Sequence, residues 1–257
     1  MRILMIGDVI GKPGREAIHT LVPALRREHG IDLVIANGEN SAGGFGITPD
    51  TAQELMEGDV DVITLGNHVW KQKEIIPYIS EEWPIIRPAN YPPGTPGRGY
   101  MRVGQTVVIN LMGRVFMNPL DCPFRTADQV LKEVKGINPP KAIIVDFHAE
   151  ATSEKQAMAW YLDGRVSAVL GTHTHVPTAD ARILPKGTAF VTDVGMTGPY
   201  NSVIGSDIRA VLEGFITQMP RRLTVPPGPV ILNSVLVDID EEAGVATNIQ
   251  RIDRMVT

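Results

Sequence analysis

Short, continuous apolar runs alternate along this chain with longer stretches in which apolar residues recur every three or four positions. Residues 3–6, 33–36, 62–65, 142–146 and 168–170 are runs rich in Ile, Val, Leu and Met, the pattern of strands covered on both faces in a parallel sheet. Between the first two, Ala17, Ile18, Leu21, Val22 and Leu25 mark a helix that follows a turn at Gly11-Lys12-Pro13-Gly14 and stops at Gly30. Thr48 followed by Pro49 reads as cap and first position of a second helix reaching about residue 57. Strand, helix, strand, helix, strand with short connections predicts a parallel sheet with right-handed crossovers.

The texture changes over 78–99, where prolines break every long element and only Ile85-Ile86 reads as a strand. Residues 101–103 and 106–111 then flank Gly104-Gln105, a hairpin with glycine at the first position of a type II′ turn. Helices are predicted over 126–134, over 153–163 with Ser153 as cap, and over 207–218; a further strand covers 189–192. Two closing strands, 231–238 and 247–254, alternate apolar with polar residues as antiparallel strands do. The expected architecture is α/β, with two mixed sheets packed between helices in one domain over residues 1–257.

The five parallel-type runs end on groups with ligand chemistry. The first leads through Gly7 to Asp8, the second through Gly38 to Glu39-Asn40, and the third through Gly66 to Asn67-His68; the fourth ends on His148, the fifth at Gly171-Thr172-His173-Thr174-His175. Taken singly, each residue has an ordinary structural reading: Asp8 as a turn cap, Glu39 and Asn40 as solvated loop, Asn67 as a turn residue, His148 as a satisfied core histidine. Their recurrence at successive strand ends is what points to a site. His173 and His175, alternate residues of what reads as an extended segment, should face the same way. Carboxylate and amide oxygens with imidazole nitrogens suit iron, manganese or zinc better than magnesium or calcium, and so large a set points to two ions about 4 Å apart.

Composition narrows the setting. Lys plus Arg number 24 against 29 Asp plus Glu, a formal charge of −5, which gives no overall pull toward nucleic acid or anionic membrane; nucleic acid is not expected as a stable partner. Cys122 is alone, so there is no internal disulfide or zinc ribbon, and a cytoplasmic setting is expected. The first residues are too few and too soon acidic for a signal-peptide core, and no apolar run approaches the ~20 residues of a membrane span.

In this order, Gly7-Asp8, Gly38-Glu39-Asn40, Gly66-Asn67-His68, His148 and the Gly171–His175 segment resemble the motif series of the calcineurin-like metallophosphoesterases. The longer stretches from Gly7 to Arg15, Asn37 to Asn40 and Thr192 to Pro199 resemble the bacterial YmdB family within that superfamily. The resemblance implies a four-layer αββα sandwich and a two-metal phosphodiesterase of small diesters, 2′,3′-cyclic nucleotides foremost. It implies Asp8, Glu39, Asn40 and His175 on one ion and Glu39, Asn67, His148 and His173 on the other. Iron or manganese is implied as the metal, with zinc open. A metal-bridging hydroxide would attack phosphorus, with His68 as general acid. The superfamily's usual Asp-X-His is here Asp8-Val9-Ile10, and its bridging aspartate is Glu39; Asn40 is expected to take the vacated histidine's place. Gly44 and Phe45 are candidates for the substrate, the glycine for close backbone approach and the ring for stacking on a base, and the Gly43-Gly44-Phe45-Gly46 segment reads equally well as a flexible lid. Asp193 is a candidate support for a ligand histidine, and Cys122 reads as structural. A phosphomonoesterase and a non-catalytic, regulatory or RNA-associated protein that keeps the metal site are the alternatives, and a homo-oligomer is open.

Overall fold

The computed structural model describes residues 1–80, 83–136 and 138–256. Period-two alternation along each strand decides the layering. In Arg2–Ile6, Leu4 and Ile6 turn to one face, where they meet Ile18, Val22 and Leu25 of helix Gly11–His29 and Ala52 and Leu55 of helix Pro49–Glu57. Ile3 and Met5 turn to the other, and with Ile35 and Val62 they face Val108, Ile144 and Leu170 of a second sheet. The far side of that sheet, including Ile109, Val145 and Phe147, packs on Val130 and Leu131 of helix Pro123–Val134 and on Met158 and Leu162 of helix Thr152–Leu162. Helix, sheet, sheet, helix: the four expected layers, each pair joined by its own buried core.

The first sheet runs, from one edge, Val245–Arg251, Ser234–Asp240, Arg2–Ile6, Leu33–Asn37, Val62–Thr64, Ile85–Ile86; the last four are parallel and the first two antiparallel. The second runs Arg182–Ile183, Ala189–Val191, Ala168–Thr172, Ala142–His148, Thr106–Met112, Tyr100–Val103, parallel in the centre and antiparallel at both edges. The hairpin is present, with Val103 opposite Thr106 and Gly104 at φ +56°. Thr48 caps its helix by accepting from Thr51 N at 3.2 Å, with Pro49 first inside.

Four expectations change. Gly11-Lys12-Pro13-Gly14 is no turn but the first turn of helix Gly11–His29; Pro13 is tolerated there because the first turn's N–H groups have no helical partners. Gly14 marks a close approach instead, since a Cβ there would lie 2.3 Å from Thr197 O. Helix Thr152–Leu162 starts one residue before Ser153, and no side chain caps it. The predicted strand over 231–238 is two strands, Val230–Leu232 and Ser234–Asp240, with Asn233 as the crossing point between sheets. The one over 247–254 likewise divides into Val245–Arg251 and Arg254–Val256. The pieces so released join Met196–Pro199 and Asp8–Val9 in a small third sheet. Gly7 is the joint between first and third sheets; a Cβ on it would lie 2.0 Å from Gly195 O.

Candidate metal centre

Parallel strands send their carboxyl ends to one side of a sheet, and ligand sites form there. In this chain the rule gathers the predicted residues from both sheets. Asp8 and Glu39 follow strands Arg2–Ile6 and Leu33–Asn37, Asn67 and His68 follow Val62–Thr64, and His148 and His173 stand at the ends of Ala142–His148 and Ala168–Thr172. His148 Nε2 is their meeting point: Glu39 Oε1 lies 3.2 Å from it, Asn67 Oδ1 3.0 Å and His173 Nδ1 3.0 Å. Gly66 makes this approach fit, because a Cβ there would come within 2.3 Å of His148 Nε2 and 2.4 Å of Glu39 Oε2.

A second group lies alongside. His175 Nε2 is 3.2 Å from Asn40 Nδ2 and 3.8 Å from Asp8 Oδ1. His173 and His175 do not alternate along an extended strand as expected: their φ angles are +101° and +64°, and the backbone turns at each to aim one imidazole at each group. Asn40 points its amide nitrogen at His175 and its Oδ1 at His68 Nδ1, 2.6 Å away, so it fits a cation's donor set only with the amide turned over.

Charge and burial make these contacts costly without a cation. Asp8, Glu39 and His148 are fully buried. Around His148 Nε2 stand three atoms with lone pairs, and the ring can offer at most one proton there. Asp8 Oδ1 is buried with no hydrogen-bond partner. Burial pushes the Asp8 carboxyl up, His175 and His148 pull it back, and it settles at about 6. Burial also resists the charge on Glu39, but His148 and His68 overcome it and hold the carboxyl at about 2. His148 is lifted to about 9 by Glu39, Asp8 and Asp146 against the effect of burial. Burial and the neighbouring His148 push His173 down to about 3. One imidazolium is thus made to serve several acceptors, a task a divalent ion performs better. Glu39, His148 and His173 place one donor atom each within 4.8 Å of one another, a span one ion can fill.

A supporting layer was missed from the sequence. Thr172 Oγ1 lies 2.9 Å from His148 Nδ1 and donates to Asp146 Oδ1 at 2.7 Å, and Asn37 Nδ2 donates to Asp146 Oδ2 at 3.2 Å. Asp146, a lone acid inside an apolar strand, was the available signal. Asp193 supports the histidine loop, not a histidine ring: its Oδ2 accepts from Thr174 N at 3.0 Å and Thr174 Oγ1 at 2.8 Å, and pairs with fully buried Lys155 at 2.6 Å. Glu150 Oε2 lies 3.1 Å from His173 Nε2. Cys122 is the residue before helix Pro123–Val134 and takes part in none of these contacts.

A cavity of about 330 Å³ opens over Glu39, Asn40, His68, His173 and His175, with Gly43, Gly44 and Phe45 on its wall. The φ angles of Gly43, Gly44 and Gly46, +64°, +97° and +81°, belong to a loop that a side chain would strain. Phe45 is 44% exposed and meets the His68 ring edge-on, with centroids 5.1 Å apart. Among the described residues no helix is long and apolar enough to cross a membrane.

Known proteins share this architecture along its length. The family model described as YmdB-like protein matches residues 4–252. A Bacillus subtilis (strain 168) protein named 2′,3′-cyclic-nucleotide 2′-phosphodiesterase is 50% identical over 256 residues, 98% of this chain and 96% of its own. The crystal structure of a hypothetical protein from Thermus thermophilus superposes with a TM-score of 0.92 at 46% identity, covering 99% of both chains. That of a novel phosphatase from Mycoplasma pneumoniae gives 0.92 at 33% identity, covering 99% of this chain and 93% of its own. With the strand-end motifs, the four layers and nearly the full length in common, this chain belongs to the YmdB-like protein family.

Proposed function

We propose that this protein is a metal-dependent phosphodiesterase of small diesters, 2′,3′-cyclic nucleotides in particular. The observation that carries the reading is the convergence of Glu39 Oε1, Asn67 Oδ1 and His173 Nδ1 on His148 Nε2 beneath an open cavity. The Bacillus subtilis relative's name supports the diester and the cyclic nucleotide.

In this reading Asp8, Glu39, Asn40 and His175 hold one ion and Glu39, Asn67, His148 and His173 the other. Iron or manganese best suits this mixture of donors, and zinc is compatible with it. Bound there, the ions supply an activated water and draw charge from the phosphoryl oxygens. The chain does the rest. Gly43 and Gly44 leave bare backbone at the wall for close approach, and Phe45 offers its ring to a base. His68 protonates the leaving alkoxide. For that the ring must carry two protons, a state that burial opposes strongly enough to hold the metal-free ring below the ordinary histidine range, although Glu39, 3.3 Å from Nδ1, favours it.

A phosphomonoesterase is the second reading, favoured by the name of the Mycoplasma pneumoniae structure. Assays of metal-reconstituted protein on bis-p-nitrophenyl phosphate, p-nitrophenyl phosphate and 2′,3′-cyclic AMP separate the readings. Turnover of both diesters is expected. Turnover of the monoester alone supports the second reading, and no turnover of any of the three leaves a protein that binds metal without hydrolysing.

A further inference from the structure

Beside the catalytic cavity lies an open recess of about 470 Å³, and Gly43, Phe45 and Leu223 line both spaces. On its other side stand Arg221 and Arg222. The chain as a whole is acidic, at −5, so two consecutive arginines lining a recess next to a carboxylate-built site run against the overall balance. Arg221 Nε is anchored 3.4 Å from Glu213 Oε2, but Glu213 also takes Arg209 at 3.1 Å, and one carboxylate does not neutralise that group. Arg222 is exposed and has no hydrogen-bond or ion-pair partner among the described residues. Gln72, whose Nε2 donates to Phe45 O at 2.9 Å, closes the recess from below and ties the glycine loop to it.

We infer that this recess binds a second phosphate of the substrate, on the 5′ side of the diester that is cleaved. The preferred substrate is then a 2′,3′-cyclic nucleotide carrying a 5′-phosphate or a 5′-linked nucleotide, not the bare cyclic nucleotide. The inference rests on the phosphodiesterase reading above and deepens it. Phe45 forms the shared wall: a base stacked on its ring sets one end of the nucleotide over the metal donors and the other over the arginines. An aromatic ring flanked by cations is how short single-stranded segments are held, and the planar guanidinium fork matches phosphate oxygens. Two arginines serve one or two phosphates, and a net charge of −5 gives no overall pull on a longer strand.

The test compares kcat/KM for 2′,3′-cyclic AMP, its 5′-phosphorylated form and a dinucleotide ending in a 2′,3′-cyclic phosphate, in wild type, Arg222→Ala and Arg221→Ala/Arg222→Ala. The wild type should favour the two phosphate-bearing substrates. Each arginine removed should lower that preference about fivefold, and added salt should erode it. Preference for the 5′-phosphorylated nucleotide alone identifies a terminal phosphate as the ligand; preference for both admits an internucleotide one. Equal kcat/KM for all three substrates in the wild type, or a preference that survives the double substitution, overturns the inference while leaving diester hydrolysis in place. Binding of adenosine 3′-phosphate and adenosine 3′,5′-bisphosphate, followed by calorimetry, gives a readout independent of turnover. Tighter binding of the bisphosphate that is lost in the double variant supports the recess, and equal affinities overturn it.

Discussion

His148 Nδ1 lies 2.9 Å from the hydroxyl of Thr172, and that hydroxyl donates its own proton to Asp146 Oδ1. The oxygen facing His148 is therefore an acceptor, which puts a proton on Nδ1 and, in the neutral ring, a lone pair on Nε2, where Glu39, Asn67 and His173 converge. Thr172→Val keeps the shape and removes the acceptor. Metal affinity, read by chelator competition, should fall about tenfold with the fold retained by circular dichroism. Unchanged affinity would mean that the tautomer is fixed by something else.

Metal loading should release protons. In the metal-free chain His148 is held charged up to about 9 by Glu39, Asp8 and Asp146 in spite of burial, so at pH 7 a cation must displace its proton. A raised imidazole value means that the competing proton is present below about 9 and gone above it. Affinity should therefore climb as pH rises from 7 toward 9. Below about 6 Asp8 takes up a proton as well, and affinity should drop more steeply. Titration calorimetry at pH 7 in two buffers of different ionisation heat checks this: identical apparent enthalpies would show no proton release and contradict it.

The site was legible where the polar groups break an evident pattern. A parallel strand buried on both faces reads as an apolar run, and polar groups at its end stand out, which is why Asp8, Glu39, Asn67, His68 and His148 could be named as candidates from the sequence. The third sheet was not legible because its strands, such as Asp8–Val9, are too short to show a period. Gly7 and Gly14 look like turn glycines in sequence, whereas both exist to let backbones approach. Lys155 carries no local signal at all. In a helix of mixed polarity it looks solvated, and only the tertiary fold buries it under the Thr174 loop.

Substitution should separate His68 from the donors around it. His68 Nδ1 leans on Asn40 Oδ1 and Glu39, and the ring makes no hydrogen bond to His148, His173 or His175. His68→Ala should cut turnover of a diester about 100-fold, with metal content by elemental analysis near that of the wild type. Asn67→Ala should instead lose one ion preferentially, since its oxygen lies 3.0 Å from His148 Nε2. Loss of both ions in His68→Ala would remove it from the acid's role and make it part of the metal-holding set.

The loop that carries His173 and His175 depends on the pairing of Lys155 with Asp193. Both side chains are fully buried, 2.6 Å apart, and Asp193 also holds Thr174 between His173 and His175. Breaking one side of such a pair leaves the other charge in the interior, at a cost of about 3–5 kcal/mol; replacing both removes the unpaired charge. Lys155→Met should thus destabilise strongly in urea unfolding, whereas Lys155→Met/Asp193→Asn should cost clearly less than the two single changes added together. In the double variant metal affinity should fall, because the amide and hydroxyl of Thr174 lose the carboxylate that fixes the two histidines in their left-handed backbone. Additive costs in the double variant would show that the ammonium and carboxylate act independently.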